Sequence, residues 1–329
     1  ARDGEVETPQ KDDNSGTYNF SIVKDSAILT KVDQQNPPEL WKLKLNGKPA
    51  EKKLTDFNNK AKNNFKINSS DYVKCIASDS ETVDSWLMKP DIEPNEKYPL
   101  IIFIHGGPKS MLGHSFMHEF QYYTANDFAV LYANPRGSHG YKEEFADIRG
   151  HYGERDMDDI MELIDHVVEE YDWVDGDKIG VTGISYGGFM TNWLVTQTDR
   201  FSAAISEEGI SNQISMFANT DIGFYWSPDA LDGDPWKDTD KYLDKSPLMK
   251  APEVDTPVLF IHAMDDYRCW ADQSIEFYTA LKYLDKESEL MLFPEGGHVF
   301  AWTGKPSHRK KRLRNKLSWF EKYLKDEGD

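Results

Sequence analysis

Gly183-Ile184-Ser185-Tyr186-Gly187 carries the strongest structural signal in this 329-residue chain. It follows an apolar run at residues 178–182 and precedes a helix-like segment at residues 187–198. This is the G-x-S-x-G pattern in a strand–turn–helix context, where a serine stands exposed on a sharp turn. The flanking glycines let neighbouring backbone pack closely against that turn. The stretch therefore predicts that Ser185 is a nucleophile at the mouth of an active site.

Apolar strand-like runs alternate with helical segments from about residue 70 onward. Continuously apolar runs are typical of strands buried on both faces, and the alternation predicts a mostly parallel sheet with helices on both faces. Together with the serine turn, it predicts an α/β-hydrolase fold with eight strands. The predicted strands span residues 72–78, 83–88, 100–105, 129–133, 178–183, 203–206, 258–262 and 290–293, and the predicted helices span residues 156–171, 187–198, 272–284 and 306–324.

Four short strand-like segments precede this region, each bounded by turn-forming residues. They span residues 18–24, 27–32, 39–45 and 52–57. Four antiparallel strands in about 40 residues resemble one blade of a β-propeller. We therefore predict an N-terminal β segment at residues 1–68 and a catalytic domain at residues 69–329.

A serine hydroxyl needs a base, and the base needs an orienting carboxylate. In this fold the chain order is serine, acid, histidine. His298 lies in a glycine-rich loop after the last predicted strand and is the expected base, whereas His262 ends a strand and is interpreted as structural. Asp265 and Asp266 both follow the strand at residues 258–262, and either could be the acid on this pattern alone.

The developing oxyanion needs two backbone N–H donors. One is expected from Tyr186, directly after the nucleophile, and one from the loop His105-Gly106-Gly107-Pro108 after the strand at residues 100–105. Glycines in that loop let its backbone approach a bound carbonyl closely. Losing one such donor typically costs about 3 kcal/mol of transition-state stabilisation.

The substrate pocket is expected to involve an aromatic-rich segment at residues 217–226, which includes Phe217, Tyr225 and Trp226. This segment follows a strand end and is interpreted as a pocket wall rather than as core. Arg268 has two open interpretations, a ligand for a substrate carbonyl or a partner for a surface acid.

Charge and composition exclude several classes of function. A net charge of −19 argues against a nucleic-acid partner, and the basic run at residues 308–316 is interpreted as the solvated face of a terminal helix. No apolar run approaches the roughly 20 residues of a membrane span. Cys75 and Cys269 are too few and too distant for a disulfide framework, which fits a cytoplasmic protein. His114 and His118 have metal-ligand spacing but no third ligand, so no metal or cofactor is expected.

The region at residues 70–325 resembles the catalytic domain of the prolyl oligopeptidase family of serine peptidases, in particular its acylaminoacyl-peptidase branch. The shared motifs, in chain order, are His105-Gly106-Gly107-Pro108, Asn134-Pro135-Arg136-Gly137-Ser138, Gly153-Glu154 with Asp156 and Asp159, Gly183 to Thr191, Thr220-Asp221-Ile222-Gly223, Ser246-Pro247-Leu248, Asp266-Tyr267-Arg268, Gly297-His298 and His308-Arg309.

The resemblance implies a serine peptidase that removes an N-acylated or unblocked N-terminal residue from short peptides through an acyl-enzyme, with accompanying esterase activity. A carboxylesterase acting on small acyl or aryl esters through the same residues is the alternative. The implied roles are a triad of Ser185, Asp266 and His298, oxyanion donors at Tyr186 and Gly107 with Gly106 as a further candidate, and Arg268 as a ligand for a peptide carbonyl or terminal carboxylate.

The family carries a full N-terminal propeller, of which residues 17–57 correspond to the last blade. The chain is therefore expected to be a fragment or a shortened member. Its expected partner is a short peptide or ester, and self-association into a homo-oligomer is left open. After Arg268 the chain has Cys269 and Trp270, where the family usually has a small apolar residue and a proline, so the nearby pocket is expected to differ.

Overall fold

The structure is a computed structural model that describes residues 15–46, 50–91, 93 and 95–325. Residues 1–14 of the predicted N-terminal segment lie outside the described residues. The strands are β1 (Gly16–Val23), β2 (Ser26–Val32), β3 (Glu39–Lys44), β4 (Ala50–Lys53), β5 (Ser70–Ile76), β6 (Thr82–Met88), β7 (Tyr98–Ile104), β8 (Ala129–Asn134), β9 (Val174–Ile184), β10 (Ala203–Glu207), β11 (Val258–Ala263) and β12 (Ser288–Phe293). The α-helices are α1 (Asn59–Asn64), α2 (His118–Thr124), α3 (Glu143–Ala146), α4 (Arg155–Glu170), α5 (Tyr186–Gln197), α6 (Gln213–Asn219), α7 (Gly223–Leu231), α8 (Thr239–Asp244), α9 (Asp272–Tyr283), α10 (Phe300–Thr303) and α11 (Pro306–Leu324), and a 3₁₀ helix spans Pro247–Glu253.

Eight strands form the larger sheet, in the order β12-β11-β10-β9-β7-β8-β6-β5. The pairings from β12 through to β8 are parallel, and β6 joins β8 and β5 through antiparallel pairings. Every residue of β7, β8 and β11 is buried, as their continuously apolar sequences predict. The prediction of a mostly parallel eight-stranded sheet is confirmed.

Helices cover both faces of this sheet, and the buried side chains form two large clusters. The first cluster includes residues from α4, α5 and α9, and the second includes residues from α2 and α11. In α4, Ile160, Ile164 and Val167 recur at helical spacing and are all buried. The structure therefore has the layered arrangement of the predicted α/β-hydrolase fold.

The four N-terminal strands form a separate antiparallel sheet in the order β1-β2-β3-β4. The fourth strand was expected at residues 52–57, but β4 ends at Lys53. The chain turns there because the buried carboxylate of Glu39 accepts hydrogen bonds from the Thr55 hydroxyl and from the backbone N–H groups of Phe57 and Asn58. Burial alone would raise the pKa of Glu39, but these hydrogen bonds hold it at about 2.

The terminal helix α11 is anchored by a buried ion-pair cluster. Arg312 pairs with Glu207 and Glu119, and Lys316 pairs with the same two carboxylates. The interpretation of the basic run as a wholly solvated face is therefore wrong for Arg312 and Lys316, which are buried. Glu207 lies at the end of β10 and Glu119 in α2. A buried cation destabilises a fold strongly unless it is paired with such a carboxylate. Among the described residues, no helix is both long and apolar enough to cross a membrane.

Candidate active site

Ser185 lies on the sharp turn between β9 and α5, with φ 62° and ψ −119°. The turn depends on its neighbouring glycines. A Cβ on Gly187 would lie 2.1 Å from the carbonyl oxygen of Ile104, and a Cβ on Gly183 would lie 2.5 Å from the carbonyl carbon of Gly187. Such contacts could be relieved only if the backbone itself moved. The two glycines are thus required for the strained turn that presents the serine hydroxyl.

Three side chains form a hydrogen-bonded series at the carboxyl ends of the parallel strands. The Ser185 hydroxyl donates to Nε2 of His298 at 2.9 Å, and Nδ1 of His298 donates to Oδ2 of Asp266 at 2.8 Å. Ser185 follows β9, Asp266 follows β11 and His298 follows β12. Active sites of open parallel sheets lie at this edge. The arrangement is able to transfer the serine proton to the imidazole while the carboxylate holds the ring.

Asp266 is buried and is held in place from several directions. Its Oδ1 accepts from the backbone N–H groups of Arg268 at 2.8 Å and Cys269 at 3.0 Å, and His262 Nε2 lies 3.4 Å from its Oδ2. Burial alone would raise its pKa, but hydrogen bonds from His262 and His298 bring the pKa down to about 2. The carboxyl group is therefore ionised at neutral pH.

The other candidate acid, Asp265, is exposed, and among the described residues its carboxylate accepts a single long hydrogen bond, of 3.4 Å, from the Gly296 amide. His262, the other candidate histidine, is buried in the core. Its Nε2 donates to the Cys269 carbonyl at 2.6 Å, and its Nδ1 accepts from the Ser274 hydroxyl at 2.7 Å. It thus fixes the loop that carries Asp266.

Tyr186 begins helix α5 and is one of the two expected oxyanion donors. Its buried hydroxyl donates to Oδ2 of Asp156 at 2.6 Å. Asp156 also accepts from the backbone N–H groups of Gly153, Glu154 and Met157. Burial outweighs these hydrogen bonds and raises the pKa of Asp156 to about 6. The Tyr186 ring is therefore tied to a buried acid at the start of α4, which fixes the backbone N–H beside Ser185.

The second expected donor loop passes directly over the serine. A Cβ on Gly106 would lie 3.1 Å from the Ile184 carbonyl oxygen and 3.4 Å from Cβ of Ser185, and Gly107 has a φ of +131°. His105 pins this loop, since its Nδ1 donates to the Gly106 carbonyl at 2.7 Å. Burial lowers the pKa of His105, so the ring is neutral. Gly107 lines the cavity beside Ser185.

A cavity of about 370 Å³ opens beside the serine. Its wall combines apolar and aromatic side chains with polar groups. The lining residues are Gly107, Ser185, Tyr186, Ile210, Met216, Ile222, Tyr225, Trp226, Arg268, Cys269 and His298.

One predicted wall residue, Phe217, is not among the residues that line this cavity. Phe217 packs edge-on against Trp236, with ring centroids 5.5 Å apart. Neighbouring residues on a helix point about 100° apart, so α6 turns Met216 toward the cavity and Phe217 away from it. Tyr225 and Trp226 do line the cavity as expected.

Arg268 lines the cavity and also pairs with an acid, so the two interpretations of this residue are not exclusive. Its Nε donates to Oδ1 of Asp221 at 2.9 Å, and a terminal nitrogen donates to Oδ2 at 3.2 Å. Both side chains are 45% exposed, so a ligand can reach the guanidinium donors that Asp221 leaves free.

Sequence reasoning missed Glu208, which directly follows β10 and is buried beside His298 and Asp266. The signal was present, because Glu207 and Glu208 are acids after a buried strand, as Asp265 and Asp266 are. The expected chain order places the acid one strand later, so it gives no reason to select Glu207 or Glu208 after β10.

Within the described ranges, Glu208, Asp266 and His298 are the one group of three metal-type side chains whose ligand atoms lie close together, within 4.8 Å of one another. Nδ1 of His298 already donates to Asp266, so we interpret the group as an acid–base cluster. His114 and His118 do not lie on one helix, because α2 begins at His118. His114 instead packs edge-on against Trp86.

Comparison with known proteins places this geometry in a family. Residues 114–327 match the prolyl oligopeptidase family. The uncharacterized peptidase YuxL of Bacillus subtilis is 42% identical over 311 residues, which are 93% of this chain and 47% of that protein. Dipeptidyl-peptidase 5 of Schizosaccharomyces pombe is 28% identical over 316 residues, which are 93% of this chain and 45% of that protein.

Solved structures agree with the sequence matches. The structure of Pyrococcus horikoshii acylaminoacyl peptidase superposes with a TM-score of 0.93 at 37% identity, covering 98% of this chain and 52% of that one. The chain thus spans about half the length of the relatives it matches.

Proposed function

The chain belongs to the prolyl oligopeptidase family, and from that premise we propose that it is a serine peptidase domain that cleaves short peptides near their N-terminus. The observation that carries the proposal is the continuous series from the Ser185 hydroxyl through His298 to Asp266, with hydrogen bonds of 2.9 and 2.8 Å. A nucleophile, a base and an orienting acid in hydrogen-bond contact are the machinery of acyl transfer.

In the proposed reaction, Oγ of Ser185 attacks the scissile carbonyl carbon while Nε2 of His298 takes the hydroxyl proton. The C–N bond then breaks, and the same proton passes from His298 to the leaving amine. A water molecule then gives a proton to His298 as its oxygen attacks the acyl carbon, the bond from that carbon to Oγ of Ser185 breaks, and His298 returns the proton to Oγ. Asp266 stays ionised throughout, because its pKa is about 2, and it stabilises the imidazolium that forms twice in the cycle.

We assign the oxyanion donors to the backbone N–H groups of Tyr186 and Gly107. Tyr186 supports this role because its hydroxyl ties it to Asp156, and Gly107 supports it because it lines the cavity beside Ser185. Gly106 is the weaker candidate, since it is not part of the cavity lining. Fixed donors need no reorganisation as negative charge develops on the substrate oxygen.

The proposed substrate follows from the cavity. Its walls at Met216, Ile222 and Trp226 suit an apolar side chain, and Arg268 offers N–H donors to a peptide carbonyl or a terminal carboxylate. The names of the relatives point to acylaminoacyl peptidases and to dipeptidyl peptidases. We propose a short peptide whose N-terminal residue is either acylated or free, with esters as accompanying substrates.

We also propose the division into an N-terminal β segment at residues 1–68 and a catalytic domain at residues 69–329, which the start of the large sheet at Ser70 supports. A cytoplasmic location is supported by two buried free cysteines, Cys75 and Cys269.

Three substrates of matched acyl group test the proposal: an acetylated amino-acid anilide, the same anilide with a free amine, and the acetylated amino-acid nitrophenyl ester. Turnover of either anilide that disappears in Ser185→Ala supports the peptidase. Turnover of the ester alone would replace the peptidase with the carboxylesterase alternative. The ratio of the two anilides tells acylaminoacyl release from aminopeptidase action.

A further inference from the structure

Glu208 is a buried acid beside the catalytic series. It directly follows β10 and has a left-handed backbone conformation, with φ 46°. Its exposed fraction is 0%, and neither carboxyl oxygen has a hydrogen-bond partner of ordinary geometry in the part of the chain that the structure describes. Both features are costly, since left-handed non-glycine backbone and an unpaired buried polar group each destabilise a fold by about 1–3 kcal/mol.

The side chain of Glu208 faces the acid end of the series. One carboxyl oxygen lies 3.8 Å from Nδ1 of His298, the same nitrogen that donates to Asp266 at 2.8 Å. The ligand atoms of all three residues lie within 4.8 Å of one another. Two acids on neighbouring strand ends therefore approach a single imidazole nitrogen.

The strand end that carries Glu208 is fixed to the catalytic elements on both sides. The backbone N–H of Ser185 donates to the Glu207 carbonyl at 3.0 Å, and the backbone N–H of Glu208 donates to the Ile261 carbonyl at 2.9 Å. The position of the Glu208 carboxyl relative to His298 is therefore set by the same sheet that sets Ser185 and Asp266.

Glu208 is neutral in the resting protein. Burial raises its pKa to about 11, with the charges of Asp266 and Glu207 adding to the shift, while Arg312 and the Ala263 amide lower it. Two close carboxyl groups beside one imidazole do not both ionise, and Asp266 keeps the charge. The titratable groups that face or adjoin Glu208 are Asp266, His298, Cys269, Glu207 and Arg312, with Lys316 behind Glu207.

We propose that Glu208 is a second acid position for His298: its carboxyl group lies protonated beside Nδ1 while Asp266 carries the charge, and it can take over the orientation of the imidazole when the charge of Asp266 is removed by substitution. The inference rests on the proposed serine peptidase function. Glu208 would act through His298 and not on the substrate, so it is a positioning residue. Only a proton moves: the Glu208 O–H bond breaks, and the proton passes to water.

Neutralising Asp266 should bring the reserve position into use. Asp266→Asn removes a negative charge that raises the pKa of Glu208, so Glu208 ionises at a lower pH in that variant. The acting form is the carboxylate, so its contribution is present above the pKa of Glu208 and is lost as the pH falls below it. Below that pKa, the ionised fraction, and with it the turnover, rises about tenfold per pH unit.

The test compares kcat/KM for the nitrophenyl ester, as a function of pH, in Asp266→Asn and in the double variant Asp266→Asn/Glu208→Gln. We expect the single variant to gain activity as the pH rises and the double variant to lack that gain, with at least about a tenfold difference at the alkaline end. Asp266→Asn/Glu289→Gln is the matched control. Glu289 is an exposed acid near the start of β12, at the opposite end of that strand from His298, and this variant should follow the single variant. Identical profiles for the single and the Glu208 double variant would overturn the inference, whereas an inactive native protein would overturn the proposed function instead.

A second measurement does not need the Asp266→Asn substitution. The infrared difference spectrum between the native protein and Glu208→Gln at neutral pH should contain the carbonyl band of a protonated carboxyl group that only the native protein has. A carboxylate band in its place would show that Glu208 is charged in the resting protein, and the reserve role would be refuted.

Discussion

Replacing Tyr186 with phenylalanine tests the anchoring of the proposed oxyanion donor. The substitution removes one hydroxyl, whose hydrogen bond to Oδ2 of Asp156 is 2.6 Å long and buried at both ends. Asp156 keeps its three backbone donors and loses this one. A hydrogen bond to a charged group contributes about 1.5–3 kcal/mol, and one to a neutral group about 1 kcal/mol.

The penalty should depend on pH, because Asp156 has a folded-state pKa of about 6 against an ordinary value of 3.8. The folded protein therefore binds this proton more tightly than the unfolded chain, so the contribution of Asp156 to stability falls as the pH rises from about 4 to about 6. Losing the Tyr186 donor raises the pKa of Asp156 further and extends that fall to higher pH. We expect Tyr186→Phe to lower the free energy of unfolding by about 1 kcal/mol at about pH 5 and by about 2–3 kcal/mol at about pH 8.

Urea unfolding of both proteins at the two pH values measures this difference. Tyr152→Phe is the control: its ring packs against Tyr186 with centroids 5.8 Å apart, and its hydroxyl donates to no residue that the structure describes. Its penalty should be small and should not change with pH. Turnover by Tyr186→Phe should also fall, by at most the roughly 100-fold loss that accompanies removal of an oxyanion donor. A Tyr186→Phe penalty equal at both pH values would refute the role of Asp156 as its ionised partner.

Three further predictions concern single substitutions, two of them with a matched control. Asp266→Asn should lower kcat by about 10⁴-fold at neutral pH, whereas Asp265→Asn should leave kcat nearly unchanged. Steady-state kinetics with the opposite result would assign the role of the catalytic acid to Asp265. Arg268→Gln should raise KM for a peptide by roughly tenfold with a smaller change in kcat, because a charged donor to a bound carbonyl is lost, and an unchanged KM would remove Arg268 from the binding site. Lys316→Met should lower the free energy of unfolding by about 3–5 kcal/mol, because it leaves buried glutamates undercompensated, while exposed Lys310→Met should change it little in the same urea titration.

The fold could be predicted from the sequence because its signals are local. Helices α4, α5, α9 and α11 lie within one residue of their predicted ends. In α4 the signal is apolar periodicity, since one face of that helix lies in the core, whereas α5 is buried almost all round. The serine turn could also be predicted from the sequence. Only glycine fits at positions 183 and 187, because a Cβ there would lie 2.5 and 2.1 Å from backbone atoms.

Features that depend on side-chain direction or on distant partners could not be predicted in this way. Phe217 and Met216 differ only in which side of a short helix they occupy, and Met216 is the one that is buried beside the cavity. Arg312 and Lys316 look like surface cations in the sequence, because the glutamates that pair with them, Glu119 and Glu207, lie more than 100 residues away. The pairing of Arg268 with Asp221 spans 47 residues and is equally non-local.

Covalent labelling by a fluorophosphonate is the most direct test of the central claim that Ser185 is an activated nucleophile. The native protein should be labelled at one serine, and digestion should place the label on Ser185. Ser185→Ala should remove the labelling and His298→Ala should slow it greatly, because His298 removes the hydroxyl proton. Ser307→Ala, at an exposed position on α11, should be labelled like the native protein. Undiminished labelling of Ser185→Ala, or no labelling of the folded native protein, would contradict the account.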